Sequence, residues 1–141
     1  MATGRTNNDD VLDIYEDYIF PHAHDAKYRG LLKCPTCTGR VRNPRCGDEV
    51  CIDLAVDDKG CITLARFEAH GCLISQAAAD ILCEHVEGQR VEAIAALRPD
   101  TMLDLLRVPL TAARYECALL ALNCLRRLLD ANDTQSTDEM R

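Results

Sequence analysis

The chain predicts an α+β fold, a small three-stranded antiparallel sheet with helices packed on one face. Two observations carry that expectation. Apolar residues alternate with a period of two in the first half of the chain, and recur with a period near 3.6 in the second. A third is length: 141 residues suffice for one domain with a real core, and are too few for a barrel enzyme or a two-domain dinucleotide enzyme.

The elements follow in order, with residues 9–129 expected as the single folded domain between a flexible N-terminus, 1–8, and a flexible C-terminal tail, 130–141. Over residues 9–20, Val11, Leu12, Ile14, Tyr15, Tyr18 and Ile19 recur at spacings of three and four among Asp13, Glu16 and Asp17. That is an amphipathic helix, with Pro21 as its stop. Residues 22–33 read as a polar loop in which His22 and His24 are solvated. Residues 39–43 form a short strand ending at Pro44. Residues 49–56 place Val50, Ile52, Leu54 and Val56 on a core face and Cys51, Asp53 and Ala55 opposite. A turn at residues 57–60 leads to a returning strand, 61–68, with Ile62 and Leu64 inward.

After Gly71 the period changes. Ile74, Ala77, Ala78, Ile81, Leu82 and His85 or Val86 share one stripe of a helix that ends near Gly88. Shorter helices over 91–97 and 101–106 are separated by Pro99. Residues 111–129 are apolar nearly all round, which predicts a largely buried helix.

Charge narrows the partners. With 16 Lys plus Arg against 23 Asp plus Glu the net charge is −7, which argues against nucleic acid, whose binding needs clustered cations. The acidic first helix, by default a solvated face, would suit a basic surface on another protein. No apolar run approaches the roughly 18 residues of a membrane helix, and the polar first eight residues do not resemble a secretory signal. A cytoplasmic, reducing location follows as the expectation. There nine cysteines, an odd number, point to metal or sulfur chemistry rather than to a disulfide framework. Nothing matches a phosphate-binding loop, a Ser/His/Asp set or a dinucleotide fingerprint.

Three cysteine blocks stand out. In Asn43-Pro44-Arg45-Cys46-Gly47-Asp48, a glycine between a thiol and a carboxylate permits a turn that aims both at one point. His70-Gly71-Cys72 directly precedes a helix, whose unsatisfied N–H groups favour a thiolate at Cys72, with His70 a group that could support the site. In Arg114-Tyr115-Glu116-Cys117, the Arg114 cation would favour the Cys117 thiolate while Glu116 opposes it.

The blocks Asn43-Pro44-x-Cys46-Gly47-Asp48, Gly71-Cys72-x-Ile74-Ser75-x-Ala77 and Arg114-x-x-Cys117-Ala118-x-Leu120 resemble those of the NifU N-terminal, IscU and SufU scaffold family, over roughly residues 11–129. That resemblance implies a SufE/NifU-like fold. It also implies convergence of Cys46, Asp48, Cys72 and Cys117 on one site for iron and a transient [2Fe-2S] cluster, or for zinc. By the same resemblance the partners are a cysteine desulfurase that supplies sulfur and apo iron-sulfur or carrier proteins that receive the cluster, and a homodimer is left open. On this reading the protein is a scaffold and not an enzyme. The alternative is a zinc-dependent sulfur acceptor of the SufU kind, with Cys117 as persulfide acceptor. A third reading is a plain zinc-stabilised interaction domain.

Three soft thiolates suit iron-sulfur or zinc chemistry, and one harder carboxylate makes a site that can let a cluster go. Two departures keep the branches open: Glu116 stands where the IscU branch carries His, and the interval between Gly88 and Arg114 lacks the insertion of the SufU branch. Cys83 and Cys124 read as small core hydrophobes, and Cys51 and Cys61 as structural cross-strand neighbours. Cys34 and Cys37, spaced as in a metal knuckle, lack the two further ligands of a tetrahedral site and are expected to hold no metal.

Overall fold

A computed structural model of the chain describes residues 12–133. The predicted flexible terminus, residues 9–11 of the first predicted helix, and the last eight residues of the tail lie outside the described residues. In order, a π-helical segment, Tyr15–Ile19, runs into α1 (Phe20–His24). The strands β1 (Cys37–Arg42), β2 (Glu49–Val56) and β3 (Ile62–His70) come next. The helices α2 (Leu73–Val86), α3 (Val91–Ala95), α4 (Pro99–Leu106) and α5 (Ala112–Asp133) complete the fold.

The strands form one antiparallel meander in the order β1-β2-β3. Val41, Val50, Ile52, Leu54, Ile62, Ala65, Phe67 and Ala69 are buried against α2 and α5, which share the sheet's inner side. The α+β fold expected from the sequence is therefore the fold present. Leu64 is the exception in the inward pattern, 38% exposed. The register slips between Ala55 and Val56, so that Ala55 faces Leu64 while Val56 faces Ile62 and Thr63 is the extra residue. One inserted residue flips every later side chain, and Ala65, Phe67 and Ala69 take the core face instead. Cys51 faces Arg40 and Glu68, and Cys61 bridges Arg90, so the two cysteines are not the cross-strand neighbours expected.

Pro21 does not stop the first helix. It occupies the opening positions of α1, where a helix needs no amide donor from that residue, and the helix continues to His24 before Asp25 N closes on the Pro21 carbonyl at 2.8 Å. Pro99 likewise starts α4 rather than separating two helices. His22 is not solvated as expected: its Nδ1 lies 2.6 Å from Oδ2 of Asp80, a residue of α2 that is 2% exposed. Tyr28 N donates to the other Asp80 oxygen at 2.9 Å, so one buried carboxylate ties both α1 and the following loop to α2. Tyr18 adds a second tie by donating to the Leu105 carbonyl at 2.8 Å beneath the Arg107 guanidinium.

The polar loop after α1 is ordered by the sheet. Gly30 N and the Tyr28 carbonyl bond Phe67 on the free edge of β3, and further on Leu32 N and Thr38 Oγ1 both donate to the buried Asp53 on the outer face. α2 is covered on more than its predicted stripe, with Ala79, Asp80 and Cys83 buried too. α5 reaches Asp133, beyond its predicted end at 129, and its first turn, residues 112–116, is exposed. Gly39 admits α5 closely to β1: a Cβ there would sit 2.8 Å from Leu128 Cβ. Among the described residues no helix is long and apolar enough to cross a membrane.

Candidate metal centre

The meander brings the end of β1, the start of β2 and the end of β3 to one edge, with Arg42 opposite Glu49 and Glu49 opposite His70. The 43–48 loop, the 71–72 connection and the second turn of α5 therefore converge. Asn43 shapes the first of these. Its N–H donates to the Asp48 carbonyl at 2.8 Å, its carbonyl accepts from Gly47 N at 2.7 Å, and its side-chain oxygen accepts from Arg45 N at 3.0 Å. Gly47 takes φ 79°, the left-handed geometry that reverses the chain between Cys46 and Asp48.

Asp48 points inward and is 6% exposed. Its Oδ2 accepts from Ser75 Oγ at 2.6 Å and from Cys72 N at 3.3 Å, which satisfies a free amide at the start of α2. Burial alone would push the Asp48 carboxyl up. The hydrogen bonds from Ser75, the Cys72 amide and the Cys72 and Cys117 thiols outweigh it, and hold the carboxyl below its ordinary value. Gly71 makes the socket: at φ 140° a side chain is strained, and a Cβ there would land on the Asp48 carboxylate carbon.

Donor atoms of Cys46, Asp48 and Cys117 all lie within 4.8 Å of one another. Ligands around one tetrahedral ion stand about 3.8 Å apart, so a closure of roughly 1 Å or less would seat an ion. Cys72 is outside that tightest group but borders it: its backbone N–H donates to Asp48 Oδ2, and its thiol is among the neighbours that push the Cys117 thiol up. Its sulfur lies 3.7 Å from Ser75 Oγ. All four predicted site residues thus meet at one end of the sheet, Cys46 exposed, Cys72 half-buried, Asp48 and Cys117 buried.

Arg114 does not govern Cys117 as expected. Burial, followed by the Cys72 and Asp48 neighbours, pushes the Cys117 thiol up to about 12, while Arg114 stands exposed on the first turn of α5. A bound cation would favour the Cys117 thiolate that burial opposes. The donor set of soft sulfur and one oxygen fits zinc or iron-sulfur iron. Glu116 is not among the gathered donors and pairs with Arg45 at 2.7 Å. His70 is exposed at the end of β3. Cys34 is exposed and Cys37 buried at the opposite end of the sheet, while Cys83 and Cys124 are core residues, 1% and 0% exposed.

Sequence reasoning missed what holds Asp48. Ser75 stood inside a quoted block, and a serine three residues after Cys72 at a helix start was the available signal. No sequence pattern marked Asn43 as the loop's brace.

A three-stranded meander with helices on one face and a sulfur-rich cluster where its ends meet defines a class of small cysteine-aspartate domains. Residues 14–136 match the NifU-like N terminal domain family, and the chain belongs to it. The iron-sulfur cluster assembly scaffold protein IscU of Thermotoga maritima is 40% identical over 84 residues, which cover 60% of this chain and 58% of that protein. The scaffold protein of the same name from Haemophilus influenzae is 30% identical over 115 residues, 79% of this chain and 90% of that one. Among solved structures, a protein assigned as the cluster assembly scaffold of the SUF system in Fervidobacterium islandicum AW-1 superposes with a TM-score of 0.71 at 25% identity, covering 83% of this chain and 97% of that one. The N-terminal part of a NifU-like protein from Brucella abortus shares the fold, with a TM-score of 0.72 at 21% identity over 92% and 99% of the two chains.

Proposed function

We propose that the protein is an iron-sulfur cluster assembly scaffold whose cargo, iron and a transient [2Fe-2S] cluster, is held by Cys46, Asp48, Cys72 and Cys117. The observation that carries this reading is the gathering of Cys46, Asp48 and Cys117 donors within 4.8 Å, with the Cys72 amide on the Asp48 carboxylate beside them. Membership of the NifU-like family and the scaffold names of its relatives support it. Sulfur would come from a cysteine desulfurase, and the cluster would pass to apo-proteins or carriers.

The chain's residues divide that work by chemistry. Cys72 and Cys117 hold cargo against the protein, Cys46 faces solvent where a donor or acceptor reaches it, and Asp48 supplies an oxygen that binds cluster iron less firmly than sulfur. Ser75 and the Cys72 amide hold that carboxylate in its charged form.

A second reading is favoured by the donor count. Glu116 faces Arg45, so the set is three thiols and one carboxylate, which closes a tetrahedral zinc site. There the protein would be a zinc-dependent sulfur acceptor, with Cys117 released to take a sulfane sulfur from the desulfurase's persulfide while the desulfurase regains its thiol.

Anaerobic reconstitution with iron and sulfide, followed by visible absorption and metal analysis, separates the two. A labile cluster with charge-transfer bands is the expected result; stoichiometric zinc that resists iron exchange overturns the scaffold in favour of the second reading. Asp48→Ala is expected to slow cluster transfer to an apo-acceptor, and an unchanged rate removes Asp48 from the release step.

A further inference from the structure

Of the four residues that meet at the sheet's end, Cys46 is the one with least to hold it. Asp48 and Cys117 are buried and Cys72 begins α2, whereas Cys46 is exposed on a loop. At the rim, the loop is tied to the helix bearing Cys117 by the Glu116 side chain. Glu116 Oε2 lies 2.7 Å from Arg45 Nη1, and Glu116 Oε1 accepts from Asn43 Nδ2 at 3.2 Å. Glu116 is the chain neighbour of Cys117, and Arg45 is the chain neighbour of Cys46. Asn43, the second donor, also closes the loop through its bonds to Gly47, Arg45 and the Asp48 backbone. One carboxylate thereby fixes both the loop's rim and its brace against α5.

We propose that Glu116 is a positioning residue that sets how long bound metal stays, by clamping the Cys46 loop to the Cys117 helix. The proposal rests on the reading of Cys46, Asp48, Cys72 and Cys117 as one metal-binding site. With the clamp closed, the Cys46 sulfur stays beside the Cys117 and Asp48 donors, and a thiol that leaves the ion returns at once. With the clamp open, the loop carries Cys46 away and the ion is left on three donors. The arms are exposed, Arg45 at 77% and Glu116 at 45%, so the ion pair is weakened by salt. Its size is that of a surface pair, a change in release rate of roughly two- to fivefold.

The test uses the full chain loaded with zinc, and follows release into a chromophoric chelator. Glu116→Ala is expected to release zinc roughly two- to fivefold faster, at wild-type stoichiometry and an unchanged thermal midpoint. Glu116→Gln, which keeps an acceptor for Asn43 but loses the charge, should fall between. Arg45→Glu combined with Glu116→Arg should return the rate toward wild type, and added salt should speed wild-type release toward the Glu116→Ala rate. A merely structural role would produce neither the rescue nor the salt convergence. In the apoprotein, amide exchange at Asn43 and Gly47 should rise in Glu116→Ala, a readout independent of metal. Equal release rates in wild type and Glu116→Ala, both binding zinc stoichiometrically, overturn the clamp and leave the site standing. Failure of the wild-type protein to bind zinc or iron overturns the site, and the clamp with it.

Discussion

At the scale of single residues, Asp48 depends on what is missing from its neighbour. Gly71 has no side chain, and the Asp48 carboxylate fills the place one would take. Gly71→Ala should strain the backbone at φ 140° and evict the carboxylate from Ser75 and the Cys72 amide. The expected cost is about 1–3 kcal/mol in a urea unfolding experiment, together with substoichiometric metal in the folded fraction. The four candidate donors were legible because each lies in a motif with a turn or helix start beside it. Their supports were not, because Ser75 and Asp48 are 27 residues apart in the chain and no spacing rule joins them. Glu116 shows the same limit. In the sequence it is a departure from an expected histidine and a charge opposing the Cys117 thiolate, and its partners Arg45 and Asn43 lie 71 and 73 residues away.

At the scale of elements, periodicity located the strands and the long helices but not the irregularities within them. β2 has the predicted bounds. β3 carries a one-residue bulge at Thr63 that period-two alternation cannot reveal, since Ile62 and Leu64 fit the pattern while the register beneath them slips. α2 exceeds its predicted stripe because the sheet, the π-helical segment, α1, α4 and α5 all pack against it. Small residues at 77–79 allow that crowding, and Asp80 enters the core only because His22 and Tyr28 meet both of its oxygens. Asp80→Ala should leave those donors unmet and cost about 1–3 kcal/mol. Hydrogen exchange is the discriminating measurement: protection should fall first in α1 and around Tyr28, while β2 and α5 keep theirs until global unfolding.

At the scale of the whole molecule, nine cysteines resolve by depth and by end. The core thiols have a thermodynamic consequence of their own. Burial holds the Cys83 thiol far above its ordinary value and pushes Cys124 up to about 12. In the unfolded chain each would ionise near about pH 8.5. The stability they contribute is therefore complete below that pH and is lost as pH rises toward the folded-state values, because only the unfolded chain releases protons in that window. The urea midpoint of the apoprotein should be flat between about pH 7 and about pH 8 and lower at about pH 10. Replacing Cys83 and Cys124 by alanine should make that decline shallower even as it lowers the midpoint everywhere. The overall architecture was legible because strands precede helices and each half keeps one period. The meeting of the Cys72 and Cys117 helix starts at one sheet edge was not, since it follows from how α2 and α5 pack on the strands.

That shared edge also orders events in time. Cys46, Asp48 and Cys72 are synthesised well before Cys117, and the helix that carries Cys117 must dock on β1 and β2 before its sulfur reaches theirs. A ribosome-bound chain thus exposes an incomplete set of candidate donors until α5 has emerged and docked. By mass action the relation would run both ways: an ion held by all three segments would tie α5 to β1 and β2, and its release would withdraw that stabilisation.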